Sequence, residues 1–422
     1  MAHYYSMLYA HRDSFDLFIL IYLFLFAHFY LSTFKGPTMQ SVDELIALRK
    51  TLHQNPELSN QEQATAVRIF NEFQAFSPDE VITDLGGTGL AFVFNGAESG
   101  PTTLIRSELD ALPIQETNSF AHRSQVKGVS HKCGHDGHMS IVTALGAELA
   151  KHRPKKGRVV LCFQPAEETG MGAIQVVNDA HFAALIPDYA FALHNYPGLE
   201  LGKVAVRAGT FNCASRGMII HLKGKTSHAA HPENGVSPAN AMCQIIQELN
   251  SLPAKIPHQA GVGRNWVTVI HAKLGEIAFG TAPGDAVVMV TLRSESNEGM
   301  QTLVEEAERF SHAVAKSENL SISFEYDDVF QASVNSQQGC DLVVCACENT
   351  QTPFVLLDEP MRWSEDFGQF TATAKEGAMF ALGAGQASPQ LHNPDYDFPD
   401  GLIPVGRDLF LDIIHKINGL EV

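Results

Sequence analysis

Apolar positions along this chain alternate between two spacings, and the alternation outlines the fold. Val42, Leu45, Ile46 and Leu52 recur at helical spacing, and Ser41 followed by Glu44 makes a capping box for that helix. Thr102 to Arg106, Arg158 to Phe163 and Asp188 to Leu193 are short apolar runs that read as strands. Another helix is predicted over Gly137 to Ala150, with Ile141, Val142, Leu145 and Leu149 on one face. The two patterns keep exchanging from Met39 to about Gly209, which predicts an α/β layer with a largely parallel sheet.

Between about Phe211 and Asp328 the order changes. Met218 to Lys223 reads as a strand, Pro238 to Leu249 as a helix, and Trp266 to Leu274 and Ala286 to Arg293 as two strands. A helix over Glu298 to Ser317 and a strand over Ser321 to Val329 complete the set. This βαββαβ order is the signature of a ferredoxin-like module. The predicted organisation is a catalytic domain in two parts, residues 39–210 and 329–422, with the module inserted as residues 211–328.

Residues 1–38 stand apart. Leu17 to Leu31 is apolar except for His28, with Arg12 before it and Lys35 after it. The run is shorter than the roughly 20 apolar residues that span a bilayer, and no small-residue cleavage site follows it. The folded protein is expected to begin at Met39, with residues 1–38 a mis-assigned upstream start or a disordered extension. Membrane association through that segment alone is the alternative.

Composition narrows the class. A chain of 422 residues is long enough for two domains with substantial cores. Its formal charge of −18, with no basic run, opposes a nucleic-acid partner. The seven cysteines are odd in number and irregularly spaced, which fits a reducing compartment, hence the cytoplasm.

The chemistry gathers where the apolar runs end. The strand from Thr102 leads to Glu108 and Asp110, the strand from Arg158 to Glu167 and Glu168, and the strand from Asp188 to His194. The carboxyl ends of strands in an α/β sheet converge on a ligand crevice. Cys133 and His135 fall in a glycine-containing loop before the Gly137 helix, where thiolate and imidazole can bend around an ion. Together with Glu168, His194 and the late His392 they make a set able to fill a two-metal site. With Glu168 as a ligand, Glu167 is free for general acid/base work. Asp110 is either a bridging ligand or a residue that orients one, and His138 is expected to support the site rather than bind metal.

Six stretches now carry a resemblance: Arg106 to Pro113, Cys133 to His138, Gln164 to Glu168, Gly224 to Ala230, Ser364 to Phe367 and Leu391 to Pro394. In this order they resemble the aminoacylase/carboxypeptidase family of metallohydrolases, in the branch of hippurate hydrolases and auxin-conjugate amidohydrolases. The resemblance covers Met39 to the end. It implies a catalytic domain with two divalent metal ions and an inserted lid or dimerisation domain, hence a homodimer. By it, Cys133, His135, Glu168, His194 and His392 are metal ligands and Glu167 is the general base. His228 matches a lid histidine that reaches the active site in such dimers and polarises the substrate carbonyl.

Two departures from the family pattern stand out. Glu108 replaces the usual Asp, and Gly280-Thr281-Ala282-Pro283 replaces an Asn-Val-Ile-Pro segment, removing an amide that would contact substrate. Arg293, after an apolar strand, offers a planar fork for a substrate carboxylate, against the reading of a surface arginine. The expected ions are manganese or zinc, and the Cys133 thiolate leans toward the softer zinc. The reaction so implied is hydrolysis of an N-acyl amino acid or similar small amide. A dipeptidase or carboxypeptidase on the same site, and a non-catalytic metal-binding sensor, are the rival readings.

Overall fold

The computed structural model describes residues 41–256 and 263–421. The expectations about residues 1–38 lie outside this range. In the first part of the chain the strands are β1 (Glu80–Leu85), β2 (Gly89–Asn95), β3 (Glu98–Glu108), β4 (Lys156–Gln164), β5 (Tyr189–Pro197), β6 (Val204–Val206) and β7 (Gly209–Asn212). They continue as β8 (Ala214–Lys223), β9 (Ser227–His228), β10 (Asn265–Leu274), β11 (Thr281–Ala282), β12 (Asp285–Ser294) and β13 (Ser321–Phe330). The last are β14 (Ser333–Asn335), β15 (Phe354–Leu356) and β16 (Glu376–Gly385).

A large sheet runs β1-β2-β4-β3-β5-β16-β6-β15. Its centre is parallel, with β4 beside β3, β3 beside β5 and β5 beside β16. Antiparallel pairs lie toward both sides, β1 with β2, β2 with β4 and β6 with β16. The largely parallel sheet expected from the sequence is therefore present. Its strands read as continuous apolar runs because both faces are covered. Leu161 and Phe163 of β4 pack with Phe92 and Phe191 under helices that include Val42–Gln54, His135–Leu149 and Leu402–Asn418. The alternate residues Val160 and Cys162 pack on the other side with Val176, Phe367 and Phe370.

A second sheet, β10-β12-β8-β13, is antiparallel throughout. With the helices Ala239–Lys255 and Asn297–Ser317 it makes the βαββαβ order expected, around its own core of Met218, Ile220, Leu249, Val288, Val290 and Leu303. Every second residue of β12 is buried, the period-2 signature of a sheet covered on one face.

The first described helix carries the capping box read from the sequence: Glu44 N–H donates to Ser41 Oγ at 3.2 Å and Ser41 N–H to Glu44 Oε2 at 2.8 Å. Two of the boundaries that differ from expectation lie at the site. The metal-loop helix begins at His135 rather than Gly137. Gly134 precedes it at φ 93°, and a Cβ there would lie 2.4 Å from Asn195 Oδ1, so the turn is restricted to glycine. His194 lies inside β5 rather than after it, because pairing with β16 continues past it through Asn195 and Tyr196. The polar His-Asn pair reads as a strand end, but the ladder ignores it. No helix among the described residues is long and apolar enough to cross a membrane.

Candidate metal centre and substrate cavity

Strand ends of the large sheet set the floor of the site. β3 delivers Asp110, β4 delivers Glu167 and Glu168, β5 carries His194, and the start of the His135 helix brings Cys133 and His135. The turn at Glu167–Thr169 is held between two left-handed residues, Ala166 at φ 51° and Gly170 at φ 68°. Ala166 N–H donates to the buried Glu62 carboxylate at 2.8 Å, which anchors this conformation. His392, itself left-handed at φ 65°, is fixed by its N–H to Lys132 carbonyl at 2.8 Å. Non-glycine residues rarely adopt this region, and such strain concentrates at functional sites.

The five residues expected as ligands converge. Cys133 Sγ is 3.4 Å from His194 Nε2, His135 Nε2 is 3.8 Å from both Glu167 Oε2 and Glu168 Oε1, and His392 Nε2 is 3.6 Å from Glu168 Oε2. Cys133, His135 and His194 bring ligand atoms within 4.8 Å of one another, and so do Cys133, Glu168 and His392. His135 Nδ1 faces the Asp110 carbonyl at 2.8 Å and His194 Nδ1 the Asn195 carbonyl at 2.9 Å. These contacts fix each ring and aim Nε2 at the site.

Asp110 sits behind this set. Its Oδ2 accepts from Ser59 Oγ at 2.7 Å and from Glu168 N–H at 3.0 Å, while Oδ1 lies 3.5 Å from His135 Nδ1, on the ring edge away from Glu167 and Glu168. Of the two roles left open by the sequence, this position suits orientation of His135 and Glu168. His138 is engaged at both ring nitrogens, by Glu108 at 2.8 Å and by Asn195. Glu108 reaches His138 with one oxygen and Arg106 with the other, so its longer side chain is used in full.

The electrostatics are short of positive charge. Burial pushes the Cys133 thiol well above its ordinary value, and Glu168 and Glu167 push it further. Burial, then Glu365, Glu168 and Asp366, hold Glu167 well above the usual carboxylate range against the opposing Arg106. Glu168 is raised to about 7, by burial first, with His135 opposing and Asp110 adding. Burial depresses His194, with the His138 ring adding to it, and leaves a neutral imidazole. Burial also opposes charge on His135, yet Asp110, Glu108 and Glu168 outweigh it and raise the ring to about 10. His135 Nε2 and Glu168 Oε1 are buried without a hydrogen-bond partner, a costly state for polar atoms. Soft and hard donors, orphaned and crowded by negative charge, fit divalent cations.

A cavity of about 530 Å³ opens above this floor. Tyr196, Trp363 and Phe330 give it aromatic walls, and Ser215, Thr291 and Arg293 reach it from the inserted module. Arg293 is half-buried and donates through one nitrogen to the Arg362 carbonyl at 2.9 Å and Ser364 Oγ at 2.8 Å. His228 lies elsewhere. It is exposed on β9, paired with Thr281 of β11, and is absent from the lining of its own chain's cavity.

Sequence reasoning assigned no role to Arg106, Glu365 and Asp366. Arg106 is fully buried and donates to Gln164 Oε1 at 2.8 Å, to Glu365 and Asp366 at 2.7 Å each, and to Glu108. The signal was a charged residue closing an apolar run and an acidic pair in Ser364 to Phe367. Their meeting joins residues 259 and 260 apart in the chain.

Known proteins are similar to this chain over most of its length. The profile of peptidase family M20/M25/M40 matches residues 104–416. N-acetyldiaminopimelate deacetylase of Oenococcus oeni is 30% identical over 370 residues, covering 85% of this chain and 94% of that protein. Hippurate hydrolase of Campylobacter jejuni is 28% identical over 365 residues, covering 85% and 93%. A Bacillus subtilis crystal structure, described as a dinuclear metal-binding peptidase of the M20 family, superposes with a TM-score of 0.76 at 25% identity, covering 89% of this chain and 98% of that one.

Proposed function

Since the chain belongs to the M20/M25/M40 peptidase family, we propose that it is a metal-dependent amidohydrolase that releases the amino acid from an N-acyl amino acid or similar small amide. The observation that carries this is a free acid/base group, Glu167, beside the convergent donors Cys133, His135, Glu168, His194 and His392. Relatives named as deacetylases of N-acetyldiaminopimelate and as a hippurate hydrolase support the bond type.

The five donors would hold two divalent ions, manganese or zinc, and the chemistry such ions supply is a lowered water pKa and a polarised carbonyl. Glu167 takes a proton from the attacking water and returns it to the departing amine nitrogen. Its raised proton affinity suits it to hold that proton between the two events. Arg293 holds the substrate carboxylate with the guanidinium edge not committed to Arg362 and Ser364. Asp110 keeps His135 and Glu168 in place.

The protein acts as a homodimer in which His228 of one protomer completes the site of the other. Small amides are its substrates, with no nucleic-acid partner. Its seven cysteines, all free, support a cytoplasmic location.

The test is hydrolysis of N-acetyl, N-benzoyl and indole-acetyl amino acids and of dipeptides, after chelation and after restoring manganese or zinc. Metal-restored cleavage of the acyl amino acids is expected. Preference for dipeptides would make the protein a peptidase, and silence across the panel with metal bound would make it a sensor.

A further inference from the structure

The wall of the cavity contributed by the inserted module is bipolar. Across its sheet Arg293 of β12 stands opposite Ser215 of β8, and Ser215 stands opposite Phe330 of β13. Neighbouring strands are about 4.8 Å apart, so Arg293 and β13 face each other across roughly 10 Å of backbone. One acidic residue, Asp328, joins the lining from the β13 side.

Its placement follows from an irregularity in the strand. Asp327 pairs with Gly217, and regular pairing would then set Val329 against Ser215. The register shifts, and Phe330 takes that place instead. The extra residue makes a bulge, a device that re-aims side chains next to active sites. Asp328 within it is at φ 48°, a conformation that L residues rarely hold. Its N–H is tied to Asp327 Oδ1 at 3.0 Å. Asp328 is solvent-exposed on this lining, and among the described residues no cation pairs with its carboxylate, which partial desolvation and then Asp327 raise above the usual range. Trp363, Tyr196 and Phe330 line the same space, and aromatic faces attract cations.

We infer that Asp328 is a specificity-determining residue that pairs with a cationic group of the substrate, so that the preferred substrates are Nα-acyl derivatives of basic amino acids, carboxylate toward Arg293 and side-chain ammonium toward Asp328. The inference rests on the amidohydrolase reading of the same site and narrows its substrate class. The scissile amide then lies over the floor between the two charged arms.

Nα-acetyl-L-lysine and Nα-acetyl-L-norleucine differ at that ammonium with little change in shape. With the metal-loaded full-length protein, kcat/KM for the lysine compound is expected to exceed that for the norleucine compound by about tenfold or more. Asp328→Asn brings the ratio near one, mainly through KM, whereas Asp327→Asn retains it. Absence of the preference in the native protein, or its survival in Asp328→Asn, overturns the inference. Calorimetric binding of free L-lysine and L-norleucine separates this from the fate of the activity itself. Tighter lysine binding that Asp328→Asn abolishes supports the inference even where neither acetyl compound is cleaved, a result that would sink the amidohydrolase reading alone. Equal binding, or none, counts against Asp328 whatever the hydrolysis result.

Discussion

Glu167 and Cys133 separate two functions that the fold places side by side. Both are buried, both have proton affinities raised by burial and by neighbouring carboxylates, and both touch the same cavity. Cys133 belongs to the two ligand groups that contain His194 and His392, whereas Glu167 groups with His135 and Glu168 and with Glu365 and Asp366. With Glu167 as the proposed base, Glu167→Gln is expected to keep the metal stoichiometry and lose hydrolysis by roughly 10²–10⁴-fold, the usual contribution of a positioned acid/base group. Cys133→Ala is expected to lower metal content as well as activity. Metal analysis beside steady-state rates checks both, and full turnover by Glu167→Gln would remove it as the base. Glu168 and His194 were legible as candidate ligands because each follows an apolar run, and strand order sends such residues to one crevice. Cys133 and His135 were legible as a glycine-containing Cys/His loop, and His392 through its motif. The Arg106 cluster was not legible, since its contact with Glu365 joins residues 259 apart and no local pattern encodes the fold that unites them. Asp328 was hidden for a different reason: an extra residue in β13 changes which side chain faces the cavity, and periodicity reads straight through a bulge.

At the scale of elements, the metal loop is fastened to the first helix by charge. Asp136, on the first turn of the His135 helix, lies 2.9 Å from His53 Nδ1 and 3.1 Å from an Arg49 nitrogen, both of the Val42–Gln54 helix. His53 Nε2 is 3.1 Å from Glu116, which also receives the buried Lys132 ammonium. Burial opposes charge on His53, but Asp136 and then Glu116 outweigh it and raise the ring to about 9 from 6.5. A histidine raised in the folded state contributes stability that is complete below its unfolded pKa and disappears as pH rises through the folded one. The window here is pH 6.5 to about 9, and the contribution at stake is up to roughly 3 kcal/mol. Glu116 has the opposite sign. Although burial would raise it, His53 and Lys132 hold it near 2, so its contribution is present above its ordinary 4.5 and is lost as pH falls through about 2. Calorimetric melting should therefore show the native protein losing stability between pH 6.5 and 9. His53→Gln should start lower and change less across that range, and parallel profiles would remove His53 from the account. Periodicity predicted both helices, but not the ion pairs, because Arg49 and His53 occupy buried positions that an apolar pattern assigns to aliphatic side chains.

For the whole molecule, the inserted module decides whether one chain is a complete enzyme. Its sheet leaves β10 at an edge, paired on one side only, and unpaired edges invite another strand. The short β9–β11 ribbon carries His228 away from the cavity of its own chain, next to a turn where Ile277 and Phe279 are fully exposed. On the proposed reading His228, so placed, acts in trans, and trans action has a signature that cis action cannot imitate. Glu167→Gln and His228→Ala would each be inactive as homodimers. In a mixed dimer one site has lost both groups, while the other keeps Glu167 from the His228→Ala protomer and His228 from the Glu167→Gln protomer. Random exchange makes half the dimers mixed, each with one intact site of two, so refolding or co-expressing equal amounts should restore roughly a quarter of native activity. Histidine acting within its own chain would leave every site of the mixture damaged and the activity absent. Sedimentation of the same mixture as a single dimeric species would show that the recovered rate comes from exchanged protomers, because a monomer offers no route by which the two lesions complement each other.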